Sequence, residues 1–159
     1  MGREIRRVPP NWEHPKGDGS DGYQSMYDRD YETATKEWKE GYALWESGKH
    51  PSRHIWEADD EYWDYEGTPD KSMHRPKFTE EPTWFQVYQT VSEGTPVTPP
   101  FATKKELVDY LVENGDFWDQ SRGHGGWERV NAEKFVGCGW APSAMVIVGE
   151  GMKTPRDGI

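Results

Sequence analysis

The chain has 159 residues, room for one ordinary domain with appendages and too few for two large ones. Leu, Ile, Val and Phe together number only 22, so aliphatic burial alone cannot fold it, and the nine Trp and eight Tyr point to a small core built from rings. The formal charge is −10, with 16 acids against 8 bases in residues 21–81, which disfavours direct nucleic-acid binding and favours basic partners.

The first 25 residues mix Pro9, Pro10 and Pro15 with Gly17, Gly19 and Gly22 and hold few apolar groups, which predicts an extended arm without regular structure, pinned at most by Trp12. From Asp28 to Ser47 the spacing of Tyr31, Trp38, Tyr42 and Trp45 places four rings on one side of a helix. Asp28 or Asp30 would cap its start, Gly48 would end it, and Gly41 is its weak point. The run from Glu57 to Glu66 reads as a short helix followed by loop. Thr83 to Val91 alternates as a strand, with Phe85, Val87, Gln89 and Val91 on one side and Trp84, Gln86, Tyr88 and Thr90 on the other. A turn follows, then a return strand at Val97-Thr98 that Pro99-Pro100 cuts short. Thr103 and Glu106 form a capping box that opens a second helix ending at Asn114-Gly115. A third helix is expected between Trp127 and Val136, and Ala144 to Val148 reads as a last buried strand. The expected fold is α+β: a small, mostly antiparallel sheet with about three helices, residues 1–25 as an extended arm and residues 26–159 as a single domain.

Three segments carry a resemblance. The block Thr83 to Phe101 (TWFQVYQTVSEGTPVTPPF), the opening Asn11-Trp12-Glu13-His14-Pro15 and the later Gly139-Trp140-Ala141-Pro142-Ser143 resemble small uncharacterised proteins encoded by bacteriophages and prophages. That resemblance implies a phage accessory protein acting in the cytoplasm of the bacterial host, and it implies no chemistry. The single cysteine, Cys138, suits a reducing compartment, no apolar run is long enough to span a membrane, and the start does not read as a signal peptide.

The residues offer few candidates for chemistry. His50 and His54 have metal-ligand spacing, but Pro51 places His50 at or before any helix start. Cys138 reads as a buried thiol acting as a small apolar group rather than a nucleophile paired with His124, and Gly123-His124-Gly125-Gly126 as a surface loop. No cofactor and no metal is implied. Two readings of the surface remain. Glu57, Asp59, Asp60, Glu61, Tyr62, Trp63, Asp64 and Tyr65 form an acidic, ring-rich stretch able to engage the basic surface of a host protein, such as a defence or nucleic-acid-binding protein, with the rings as anchors. Alternatively, Ser92, Glu93, Gly94 and Thr95, together with His124, form a small-ligand or enzyme site. The leading expectation is a non-enzymatic binding protein, and a minor virion or assembly component is a third reading. Oligomeric state is left open.

Overall fold

The computed structural model describes residues 1–56, 59–91 and 93–159, and its architecture is α+β. In chain order the elements are β1 (Gly2–Val8), β2 (Tyr27–Asp30), α1 (Tyr31–Glu46), α2 (Tyr62–Tyr65), β3 (His74–Arg75), β4 (Trp84–Thr90), β5 (Thr95–Pro96), α3 (Lys104–Asn114), α4 (Phe117–Arg122), α5 (Arg129–Cys138), β6 (Trp140–Pro142), β7 (Met145–Ile147) and β8 (Gly151–Lys153). They fall into two compact units. The sheet unit comprises Met1–Ser25 with Phe78–Ile159, and the ring unit is Met26–Lys77. Among the described residues, no helix is long and apolar enough to cross a membrane.

The sheet unit is organised by the start of the segment expected to be an extended arm without regular structure, which forms a strand. β1 lies inside a four-stranded sheet of order β5-β4-β1-β6, antiparallel to β4 along its whole length and to β6 at its start. The sequence disguises this strand because its alternation is written with arginines, and two of them are buried. Arg3 pairs with Asp116 at 2.5 Å, and Arg6 lies over the Tyr88 ring at 4.4 Å. Ile5 sits opposite Val87 in the register, and on that face they join a core of Val97, Leu107, Leu111, Trp127 and Phe135. Each such side chain fully buried contributes about 1.5–3 kcal/mol. The opposite face carries Gln86 and Tyr88 and is covered by residues 9–25, with the His14 ring edge-on to Tyr88 and Trp12 edge-on to Phe78.

Local signals place the helices of this unit. Both halves of the Thr103–Glu106 capping box form, and α3 stops at Gly115. α4 was not expected, and its start is a second box in which Asp116 and Asp119 cap each other's backbone amides. The helix expected between Trp127 and Val136 is α5, ending two residues later. The apolar run at Ala144 to Val148 is not a buried strand. β7 pairs with β8 in a separate hairpin where Val146 is 78% and Val148 99% exposed, because a short apolar run does not itself say which surface covers it. Cys138, expected to be buried, is exposed at the end of α5.

The ring unit solves a different problem. It has one Leu, one Ile, no Val and no Phe, and both Leu44 and Ile55 are exposed. α1 begins where Asp30 accepts a hydrogen bond from the Thr33 amide at 2.9 Å and ends before Gly48, which takes a left-handed φ of 73°. Burial falls instead to Met26, Ala34, Trp45 and Tyr62. The Tyr62 ring lies 5.2–6.1 Å from the rings of Trp38, Tyr42, Trp45, His50 and Tyr65. Gly41, a weak point by helix propensity, has a packing reason, since the Tyr62 hydroxyl occupies the place that a side chain there would take.

This contact predicts opposite signs for two glycine substitutions inside helices. Gly137 in α5 has open space around it, so Gly137→Ala should stabilise by about 0.5–1 kcal/mol. Gly41→Ala should destabilise by about 1–3 kcal/mol through overpacking against Tyr62. Urea denaturation of both variants checks this, and two shifts of the same sign would contradict it.

Candidate functional site

Two indole N–H groups hold the acidic stretch against α1. Trp45 Nε1 donates to the Asp60 carbonyl at 3.2 Å and Trp38 Nε1 to the Glu66 carbonyl at 2.8 Å. Residues seven apart on a helix lie on the same side about 10.5 Å apart, so the two donors pin both ends of the segment. The rings between those ends have separate roles. Tyr62, expected as a binding anchor, is 3% exposed and belongs to the core, because the short turn of α2 directs it onto Gly41. Tyr65 is half-buried, stacked on Trp45 at 5.4 Å, with its hydroxyl donating to Ser52 Oγ. Trp63 is 49% exposed and ends a stack that runs through Tyr42 to Trp38, with interplanar angles of 17° and 11°. Trp56 is 36% exposed and stands edge-on to Tyr65.

Among the described residues, four of the carboxylates around these rings are uncompensated. Asp59, Glu61, Asp64 and Glu66 are exposed, and Asp60 is half-buried. Ion pairs among the described residues of this unit join Arg29 to Glu37, Lys36 to Glu40, Arg75 to Asp28 and Lys77 to Glu32. Asp59, Glu61, Asp64 and Glu66 have no ion-pair partner among the described residues. Glu57 lies outside the described residues. A cleft of about 600 Å3 in the same unit is lined by Tyr27, Trp38 and Tyr62, by Glu66 and Asp70, and by the Arg29–Glu37 ion pair. The Ser72 hydroxyl and amide both donate to Asp70 and hold its carboxyl below the usual range, so it is ionised at neutral pH. Ring faces and carboxylates together suit the stem and cationic head of a Lys or Arg side chain.

The alternative ligand site does not gather in the same way. Ser92 lies outside the described residues. The Glu93 carbonyl accepts from Arg6 at 2.6 Å, its carboxylate accepts from Ser25 Oγ, and the Gly94 amide donates to that same oxygen. Gly94 has a φ of 127°, and a side chain there would collide with Arg6, while Thr95 pairs with Gln89 in the sheet. These groups fix the turn. His124 has other partners: its Nδ1 is 3.7 Å from Asp119 and its carbonyl accepts from Arg156, beside a cleft of about 370 Å3. His50 packs among the rings with Nδ1 accepting from the Ser52 amide, whereas His54 is exposed. Among the described residues, no group of three or more His, Cys, Asp or Glu is placed to hold a metal ion.

Two polar clusters of the sheet unit escaped sequence reasoning. In the first, Arg3 pairs with Asp116 while Asp119 accepts from the Trp127 indole at 2.6 Å. Burial pushes the Asp116 carboxyl up, Arg3 opposing and Asp119 reinforcing the shift. The Asp-x-x-Asp spacing was the available signal, as an acid-only variant of the capping box. In the second, His14 contacts Tyr88 Oη and the Gln24 carbonyl; it lies in the segment Asn11 to Pro15 that carries the resemblance, which gave it no role. Comparison with protein-family models, with curated proteins and with solved structures returns no match.

Burial pushes the His14 imidazole below its usual range, so the folded chain refuses a proton that the unfolded chain takes up. The stability held by the neutral ring is therefore present above the unfolded value of 6.5 and is lost as pH falls below it. Urea denaturation at pH 7.5 and 5.5 should show wild type losing more stability between the two than His14→Phe. Equal losses would remove His14 as the cause.

Proposed function

We propose that the chain is a non-enzymatic, phage-encoded accessory protein that binds a basic segment of a host protein in the bacterial cytoplasm. The observation that carries this reading is the ring unit's acidic cleft and the uncompensated carboxylates beside the exposed Trp63. Rings locked by packing present contact area at little entropic cost, and a partner that covers them gains most from a few central aromatic contacts. The carboxylates steer a positively charged partner and exclude nucleic acid. A protein whose own groove binds nucleic acid has this complementary charge. The phage setting is supported by the resemblance of the block Thr83 to Phe101 and of the two shorter segments.

The test is made with the whole chain. Binding of a short Arg- and Lys-rich peptide, followed by Trp fluorescence, should weaken as salt rises from low to physiological. Trp63→Ala should weaken it about 30-fold or more, in line with a central aromatic contact. The combined Asp59→Asn, Glu61→Gln, Asp64→Asn variant should flatten the salt dependence. A host protein captured from lysate by the wild type should be lost with the same variants. Binding that is indifferent to salt and to all these substitutions would overturn the proposal.

A further inference from the structure

The sheet unit contains a second cleft, of about 640 Å3, walled by Trp12, Tyr23, Tyr110 and Phe117 with His14 and Gln86 also lining it. Trp12 Nε1 is a buried donor without a partner among the described residues, and around His14 the hydrogens can be counted one by one. The Gln24 carbonyl can only accept, so the His14 Nε2 that faces it at 2.7 Å carries a hydrogen. The Gln86 amide nitrogen donates to the Thr98 carbonyl at 2.8 Å, which turns Oε1 toward Tyr88 at 3.1 Å. Tyr88 Oη also lies 3.2 Å from His14 Nδ1. With a neutral imidazole, Nδ1 and Oε1 are both acceptors, and the single Tyr88 hydroxyl proton serves only one of them. One buried acceptor is left over, on one of two residues that line the cleft.

We propose that this cleft binds a planar heteroaromatic molecule whose ring N–H donates to Gln86 Oε1, which has a second lone pair, while the Tyr88 proton goes to His14 Nδ1, whose one lone pair faces it. The ring walls select a flat apolar body and the spare acceptor selects a donor at its edge. A proton on His14 fills the same gap from the other side: Nδ1–H then donates to Tyr88 Oη, and the Tyr88 proton goes to Gln86. Ligand and proton therefore compete. The charges that face His14 are Arg6 from β1 and Lys16, which oppose protonation, and Asp21, which favours it. Tyr23 and Tyr88 pack against the ring, and Glu13 also lines the cleft. This site belongs to the sheet unit and does not depend on the acidic face of the ring unit.

Two probes that differ by a methyl group in place of the N–H hydrogen test it on the unaltered protein: indole, and 1-methylindole, which lacks the donor. At pH 7.5 indole should shift the side-chain nitrogen signals of His14, show contacts to Trp12 and Tyr110 by NMR, and bind at least tenfold tighter than 1-methylindole. At pH 5.5 that advantage should shrink to less than threefold. Equal affinity of the two probes at pH 7.5, an advantage unchanged at pH 5.5, or the absence of saturable binding at the cleft by either probe would each overturn the proposal.

Discussion

The ring of Tyr62 is the contact on which the ring unit depends. Five rings surround it and Gly41 makes room for its hydroxyl, in a unit where the aliphatic residues Leu44 and Ile55 both face outward. A chain short of aliphatic side chains can still remove enough apolar area from water if each buried ring removes more than a Leu would. That solution has a geometric cost, since aromatic rings are too large and too anisotropic to be hidden completely in a unit of this size. Trp63 and Trp56 are the result: rings that stack on the core and emerge from it. The exposed aromatic surface that supports the binding proposal is thus a consequence of how this unit folds, and the carboxylates around it keep it in water.

All other Leu, Ile, Val and Phe residues lie in the sheet unit, and there aliphatic and aromatic side chains pack together. Its distinctive feature is charge inside. The Arg3–Asp116 pair joins the first strand of the chain to the cap of α4, and the Asp119–Trp127 bond continues from that cap toward α5. Such a pair is weak evidence for stability, since desolvation offsets much of the attraction, but removing one partner strands a buried charge and costs about 3–5 kcal/mol.

What could be read from the sequence divides along the same line. α1, α3 and β4 were legible because their periodicity is written in residues that plainly prefer one side. β1 was hidden because Arg3 and Arg6 occupy buried positions that the alternation assigns to apolar residues, and the Pro and Gly residues after it read as disorder. α4 is six residues long, too short to show a period. Within the acidic stretch, charge and ring content marked the right segment, but a four-residue helix gives no phase by which Tyr62 could be assigned inward and Trp63 outward. The carboxylate turn at Glu93 looked functional because turn residues and ligand residues are the same types, and only the contacts of Ser25 and Arg6 show them holding the loop.

The most direct measurement of the central claim, that one tyrosine organises the core from which the exposed rings project, is 19F NMR of fluorotryptophan-labelled Tyr62→Ala protein. Loss of a buried ring of this size should cost about 3–5 kcal/mol. The resonances of Trp38, Trp45, Trp56 and Trp63 should then collapse toward the shift of free fluorotryptophan. If those four resonances keep their wild-type dispersion and stability changes by no more than about 0.5 kcal/mol, as for an ordinary surface substitution, Tyr62 is not the organising contact and the account of this unit is wrong.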